Sequence, residues 1–148
     1  MPGEMAAQSE PRLTVQSRLE DLALLWPWVE SLANEHGVPP DTRYCIHLCL
    51  EEAISNVIRH GYNGQPDRPI TVEFSSAPDE IVFSIEDRAP AFDPLAPSAM
   101  PEPGAPGSTG EMPLGGQGIR LMRKFAGSLA YQRLADGNRL ILRFLNPR

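Results

Sequence analysis

Apolar and polar residues alternate in five segments of the chain, which is the pattern of strands with one buried face. These segments are Arg12 to Gln16, Ile70 to Phe74, Ile81 to Asp87, Ser128 to Leu134 and Arg139 to Leu145. Turn residues separate two pairs of them: Ala77-Pro78-Asp79 before the third strand, and Asp136-Gly137, a strong hairpin signal, before the fifth. The sequence therefore predicts a sheet of five strands.

Two longer segments between the first and second strands repeat apolar residues at helical spacing. The first runs from Leu22 to His36 and stops at Gly37, which suits a helix C-terminus, while Pro27 marks either a kink or a late start. The second runs from Asp41, a plausible N-cap, to about His60, where Gly61 closes it. Both are predicted to be amphipathic helices.

A proline- and glycine-rich segment, Ala89 to Gly116, follows the third strand. Its 28 residues include seven prolines and five glycines but only three charges, so we expect a functional lid or a linker. A short helix, Gly116 to Ala126, and the last two strands come after it. The order βααββ, loop, αββ predicts an α/β two-layer sandwich, with an antiparallel or mixed sheet and helices on one face. We expect one domain over residues 1–148, with residues 1–11 flexible.

The charge of the chain argues against nucleic acid as a ligand. There are 13 Lys and Arg residues against 19 Asp and Glu, and Lys124 is the only lysine. Affinity for nucleic acid comes chiefly from many cationic contacts to phosphate, which this composition does not offer. No apolar run approaches the roughly 20 residues that cross a bilayer, and the N-terminus lacks a signal-like segment. A soluble, cytoplasmic protein that binds neither nucleic acid nor membrane is expected.

Cys45 and Cys49 lie four residues apart in the second predicted helix. We interpret them as small buried hydrophobic residues in a reducing compartment rather than as a metal or redox pair. His47 lies between them in sequence but points about 160° away from the midpoint of the pair on a helix, so it would not complete a metal site.

The second helix also carries a polar stripe beside its apolar face. Glu52 and Asn56 lie one turn apart and about 40° apart around the axis, and His60 lies one turn further on. Glu51 falls about 100° from Glu52, on the opposite border of the apolar face. A carboxylate and a carboxamide in this arrangement could hold Mg²⁺ and accept a proton. The alternative is a solvated glutamate and an ordinary helical asparagine.

Asp87 ends the third strand on the same face as its apolar residues. A carboxylate buried there needs a partner, which could be a ligand amine or a backbone turn. The alternative is that Asp87 only starts the following loop. A third feature, Gly115-Gly116-Gln117-Gly118, lies where the long loop meets the last helix and could approach phosphate closely, although glycines also commonly begin helices. The P-loop pattern and the eukaryotic kinase motifs are absent.

These features occur in the order of a known family. From about Leu13 to Phe144 the chain resembles the GHKL (Bergerat-fold) ATPases, and among them the small bacterial anti-sigma-factor serine kinases. Glu52 to Asn56, continuing to His60-Gly61-Tyr62, resembles the N box, Asp87 to Pro94 occupies the place of the G1 box, and Gly116 to Met122 resembles the G2 box.

The resemblance implies a role for each motif. Glu52 would take the proton from a substrate serine, Asn56 would hold Mg²⁺ bridging the ATP phosphates, and Asp87 would accept from the adenine amino group. Residues 96–114 would form the mobile ATP lid. By the same resemblance, further residues of the motifs would surround the nucleotide: His60, Ala89, Ala91, Phe92, Gly115, Gly116, Gln117, Gly118 and Ile119.

The G1 box departs from the family pattern, because Ala89 and Ala91 stand where the family usually has glycine, or glycine and proline. If position 89 needs a left-handed backbone, alanine costs about 1–2 kcal/mol there. Since about 1.4 kcal/mol corresponds to tenfold in affinity, this departure is compatible with weakened ATP binding and does not require that binding is abolished; both alternatives stay open.

The resemblance implies an ATP- and Mg²⁺-dependent serine/threonine-protein kinase that acts as an anti-sigma factor and phosphorylates an anti-sigma-factor antagonist. The catalytic domain of a histidine kinase is a less simple interpretation. Such a kinase needs an attached helical domain that carries the phosphorylated histidine, and we expect the chain to be too short for one. The alternatives are a partner-switching binding module with little or no nucleotide turnover, and slow ATP hydrolysis without transfer to protein. Family members also tend to form homodimers through the N-terminal strand. Trp26 and Trp28 are candidates for a partner surface, although we expect at least one in the core.

Overall fold

The computed structural model describes residues 11–95 and 122–146. In chain order these form β1 (Arg12–Gln16), α1 (Leu22–Glu35), α2 (Pro40–Asn56), β2 (Pro69–Ala77), β3 (Glu80–Asp87), β4 (Ser128–Leu134) and β5 (Gly137–Leu145). A short 3-10 turn, Leu19–Asp21, precedes α1, and a π-helical turn, Val57–Gly61, follows α2. Residues 122–125 are helical. The rest of the predicted third helix, the predicted lid and residues 1–10 lie outside the described residues.

The five strands form one sheet in the order β1-β2-β3-β5-β4, and each neighbouring pair is antiparallel. The helices α1 and α2 pack on one face of it, which confirms the predicted two-layer α/β sandwich. Of the two sheet types left open, the antiparallel one is present. None of the described helices is both long enough and apolar enough to span a bilayer.

The core lies between the helices and the inward-facing side chains of the strands. The predicted apolar face of α2 and the turn after it is confirmed, because all six of its residues are buried: Ile46, Leu50, Ala53, Ile54, Val57 and Ile58. They meet alternate residues of the central strands, among them Ile70, Phe83 and Leu142. Each large side chain buried in this way contributes about 1.5–3 kcal/mol to the hydrophobic free energy of folding.

The ends of the helices differ from the predictions in two places. Helix α1 begins at Leu22, so Pro27 lies inside it and the late start is wrong. Helix α2 has Pro39 as its N-cap and Pro40 in its first turn, with no side-chain capping bond, so the predicted cap at Asp41 is wrong. Proline suits a first turn because it has no N–H to leave unpaired and its φ is already helical.

The hairpin between β4 and β5 is confirmed, but its turn is not where the sequence suggested. Leu134 pairs with Gly137, so the two turn residues are Ala135 and Asp136, and Gly137 belongs to β5. A Cβ at Gly137 would lie 1.9 Å from the carbonyl oxygen of Asp87 on β3. Glycine is therefore required by the close approach of two strands rather than by the turn.

The cysteines and tryptophans behave as core residues. Both thiols are free, and burial raises the pKa of Cys49 to about 12. The ring of His47 bonds instead to Glu30, with 2.6 Å between Nε2 and Oε2. Trp26 and Trp28 are both partly buried against the core, which confirms the expectation that at least one belongs to it.

We expect Gly137→Ala to lower the free energy of unfolding by about 1–3 kcal/mol, because the methyl group would overlap the backbone of Asp87 and separate β3 from β5. Urea unfolding followed by circular dichroism measures this loss. Asp136→Ala, in the exposed turn of the same hairpin, is the control and should change stability by less than about 0.5 kcal/mol. Equal losses in the two variants would show that the close approach is unimportant.

Candidate functional site

A small cavity lies where α2 meets the ends of β3 and β5. Its wall is formed by Ala53, Asn56, Val57, Ile85, Asp87, Phe92, Pro94, Tyr131, Asn138 and Leu140. The volume is about 20 Å³, which is room for about one water molecule. A larger ligand can therefore enter only if part of the wall moves, and Phe92 and Pro94 belong to a loop outside the regular elements.

Asp87 is buried in the wall of this cavity, as the strand alternation predicted, and is 6% exposed. Its Oδ1 accepts hydrogen bonds from the backbone N–H of Ala89 at 2.9 Å and from Nδ2 of Asn138 at 2.8 Å. Burial raises the pKa of this carboxyl, and hydrogen bonds from the Asn138 side chain and from the backbone of Ala89 and Asn138, together with the charge of Arg133, oppose the rise. The bonds from Ala89 and from the Asn138 side chain both go to Oδ1, so Oδ2 is the oxygen placed to accept from a ligand.

Asn138 is a site residue that the sequence analysis missed. It lies directly opposite Asp87 in the register of β3 and β5. The signal that could have identified it is the alternation of β5, in which Asn138 shares the inward face with Leu140 and Leu142. A polar side chain among apolar ones on a buried face needs a partner, and Asp87 is that partner.

The alanines of the G1 segment are not strained. Outside glycine, the described residues with positive φ are Asn63 and Asp67, so neither Ala89 nor Ala91 has the left-handed backbone that would have cost stability. Ala89 is buried, and a Cβ placed on Gly61 would lie 3.3 Å from the Ala89 methyl. The methyl group thus fills space that the glycine at the end of the π-helical turn leaves open.

Glu52 and Asn56 lie one turn apart on α2, as predicted. Asn56 is 3% exposed and lines the cavity. The Oε2 atom of Glu52 is buried and has no hydrogen-bond partner. Burial raises the pKa of Glu52, the charge of Arg59 opposes the rise and that of Glu51 adds to it. Glu51 itself is exposed, so the two neighbouring acids have different environments, as their angular separation predicted.

The prediction of a regular helix to His60 is wrong. After Asn56 the chain makes a wider π-helical turn, in which the N–H of Tyr62 donates to the carbonyl of Val57 at 2.8 Å. Within this turn His60 is exposed, and its ring stacks on Phe92 with 5.7 Å between centroids. Such turns are often found at functional sites.

Tyr62 connects this turn to the end of β3. Its buried hydroxyl donates to the carbonyl of Pro69 and accepts from the N–H of Arg88, both at 2.7 Å. Because Arg88 follows Asp87, the hydroxyl fixes the helical segment that carries Asn56 relative to the strand that carries Asp87.

Two oxygen-bearing side chains could contribute to a metal site. The carboxylate of Glu52 and the amide oxygen of Asn56 are donors of the kind that Mg²⁺ prefers. Within residues 11–95 and 122–146, no group of three or more His, Cys, Asp and Glu side chains could hold a metal ion. An ion at Asn56 would therefore need oxygens from water or from a bound ligand.

The structure thus brings Asn56, Asp87 and Phe92 together at one cavity, with Glu52 one helical turn from Asn56 and His60 against Phe92. The glycine-rich residues predicted to wrap phosphate lie outside the described residues; they are Gly115, Gly116, Gln117, Gly118 and Ile119.

Comparison with known proteins gives consistent results. The histidine kinase-like ATPase domain matches residues 15–144. The chain is 31% identical over 115 residues to the serine/threonine-protein kinase BtrW of Bordetella bronchiseptica, a match that covers 78% of this chain and 79% of that protein. It is 28% identical over 123 residues to an anti-sigma F factor of Clostridium perfringens, covering 82% of this chain and 78% of that one.

Among solved structures, the chain resembles the RsbU and RsbW domains of Rv1364c from Mycobacterium tuberculosis. The TM-score is 0.64 at 14% identity, and the match covers 94% of this chain and 33% of that chain. At this identity the similarity concerns the fold alone.

We expect Glu52→Gln to raise the free energy of unfolding at pH 7 by about 1 kcal/mol. The substitution removes the charge of a partly buried carboxylate whose own Oε2 has no hydrogen-bond partner. Since the pKa of Glu52 is higher in the folded chain than in the unfolded one, the folded state binds more protons between the two values. Wild-type stability therefore falls as the pH rises through that interval, and the variant lacks this fall.

Urea unfolding between about pH 4.5 and 7.5 tests this expectation. The matched control is Glu51→Gln, which removes the same charge from an exposed position next to it. A Glu52→Gln protein that is less stable than the wild type at pH 7 would contradict it.

Proposed function

The chain belongs to the histidine kinase-like ATPase domain family, and we propose that it is an ATP-dependent serine/threonine-protein kinase that acts as an anti-sigma factor. The observation that carries the proposal is the unpartnered carboxylate of Glu52, one helical turn from the buried amide of Asn56 at the cavity that also contains Asp87. A protein that only binds partners has no need of an acid in that environment.

Asp87 suits the recognition of an adenine ring. Its Oδ1 is occupied by Ala89 and Asn138, so Oδ2 remains to accept from the exocyclic amino group. Phe92 offers an aromatic face in the cavity wall against which a base can stack. The cavity must open for this, and the loop of Phe92 is the part of the described wall that lies outside helix and sheet.

Glu52 suits the role of base in phosphoryl transfer. Its carboxylate accepts the proton of a substrate serine hydroxyl while the serine oxygen bonds to the γ-phosphorus and the bond to the β-phosphate oxygen breaks, releasing ADP. A raised pKa makes the group a better proton acceptor once it is ionised, and burial is the cause of the rise. Asn56 would hold Mg²⁺, which neutralises charge on the phosphates when bound.

By analogy with its relatives, the partners are a sigma factor and an anti-sigma-factor antagonist that carries the acceptor serine. The alternative of a binding module without turnover was suggested by Ala89 and Ala91, and neither residue has the positive φ on which the backbone-strain part of that argument depends. A homodimer through β1 and a cytoplasmic location stay predictions. Strand β1 pairs with β2 on one side, and no described strand pairs with its other side.

We expect Glu52→Gln to lower the rate of transfer from labelled ATP to a serine-bearing antagonist protein by about 100-fold or more, because the amide cannot accept the serine proton. ADP affinity, measured by titration calorimetry, should stay within about threefold of wild type. Glu51→Gln is the matched control and should retain transfer. Equal transfer by wild type and Glu52→Gln would refute Glu52 as the base.

We expect Asp87→Asn to weaken ADP binding by about 10- to 100-fold, because a hydrogen bond to a charged acceptor is lost. Calorimetric titration with ADP and Mg²⁺ measures the change, and Asp136→Asn on the exposed turn is the control. GDP has a carbonyl where ADP has the amino group, so it should not compete in the wild type. Unchanged ADP affinity in Asp87→Asn would contradict the assignment of Asp87 to adenine recognition.

A further inference from the structure

The side chain of Asn138 donates its amide hydrogens to the segment that ends β3. It is 4% exposed and stands on β5 opposite Asp87. Its Nδ2 lies 2.8 Å from Asp87 Oδ1, 3.0 Å from the carbonyl oxygen of Pro90 and 3.3 Å from that of Ala89. One amide group thus contacts both the buried carboxylate and the backbone that follows it.

The oxygen of the same amide accepts from the other side of the site. Its partners are the N–H of Phe92 at 3.2 Å, the hydroxyl of Tyr131 at 2.5 Å and the guanidinium of Arg133 at 3.4 Å. Tyr131 and Arg133 stand on β4, so Asn138 links the loop after β3 to the edge strand of the sheet.

These partners determine both the residue type and its orientation. The atoms around Nδ2 are a carboxylate oxygen and two carbonyl oxygens, which can only accept, whereas the backbone and guanidinium N–H groups around Oδ1 can only donate. Turning the amide over would place like groups against each other. A side chain with only donors or only acceptors could satisfy at most half of the set.

We infer that Asn138 is a positioning residue for nucleotide binding, which acts through Asp87 and the loop of residues 89–92 without touching the nucleotide. This inference rests on the proposed function. The amide holds Oδ1 so that Oδ2 remains available, and it holds the backbone of Phe92 so that the aromatic ring stays in the cavity wall. The loop contains no glycine and has no regular structure, so this side chain supplies much of its order.

The test is Asn138→Asp, which keeps the shape of the side chain and replaces the donor with an acceptor. Two carboxyl groups within hydrogen-bond distance share one proton at low pH and repel each other when both are ionised. We expect the variant to bind ADP within about tenfold of the wild type near pH 5.5, and about 100-fold more weakly near pH 8.5. Wild-type affinity should not fall over this range.

The other groups near Asp87 do not produce this pattern. The guanidinium of Arg133 is the same in the variant and the wild type, so its contribution cancels in the comparison. Burial raises the pKa of Tyr62, whose hydroxyl lies at the end of the π-helical segment, so it stays protonated. From α2 the cavity wall receives the uncharged side chains of Ala53 and Asn56. His60, which stacks on Phe92, is the same in the variant and the wild type, so its contribution cancels in the comparison.

Asn146→Asp is the matched control, because Asn146 is buried like Asn138 but directly follows the opposite end of β5. It should bind ADP like the wild type at every pH. In the kinase assay, Asn138→Asp at pH 8.5 should raise the KM for ATP by about 100-fold and leave kcat within about threefold, since Glu52 and Asn56 stand on a different element.

The outcomes separate the two proposals. A wild type that does not bind ADP overturns the proposed function and this inference with it. A wild type that binds ADP, with a variant of equal affinity at both pH values, overturns only the role of Asn138. If Asn138→Asp does not fold by circular dichroism, Asn138→Ser decides: its hydroxyl can donate to Asp87 but cannot also hold the loop, so ADP affinity should fall about tenfold, and unchanged affinity overturns the inference.

Discussion

The buried carboxylate of Asp87 is the constraint on which the rest of the site depends. An ionised carboxylate out of water is costly unless hydrogen bonds replace its hydration. The chain meets this need with the N–H of Ala89 on one side and the amide of Asn138 on the other. Asn138 can reach Asp87 because Gly137 lets β5 approach the backbone of β3. The glycine and the asparagine together therefore reduce the cost of burying the Asp87 carboxylate.

The carboxylate of Glu52 is not compensated by hydrogen bonds in this way. Its Oε2 is buried without any partner, and burial raises its pKa although the charge of Arg59 opposes the rise. An unsatisfied acceptor of this kind reduces stability, and such groups are concentrated at sites where reactivity matters more than stability. The two acids of the site thus differ in what surrounds them: Asp87 is held by the protein, whereas Glu52 is left available for a substrate.

Much of the fold could be predicted from local sequence because it depends on hydrophobic alternation. The five strands, both helices, the core face of α2 and the inward direction of Asp87 all follow from periodicity. The errors arose where distant contacts override local preference. The π-helical turn after Asn56 accompanies the bonds of Tyr62 to Pro69 and Arg88, which no local pattern reveals. Asn138 was missed for a similar reason, since its partner is 51 residues away along the chain.

The contact between Gly61 and Ala89 makes the sizes of these two positions dependent on each other. The methyl group of Ala89 occupies space in the loop that a glycine would leave free. The residue without a side chain is instead Gly61, at the end of the helical segment. A related chain with glycine at the position of Ala89 can accept a larger residue at that of Gly61, whereas a chain with alanine there can do so only if the loop shifts slightly away. Across homologues the two positions should therefore vary together, although 28 residues separate them.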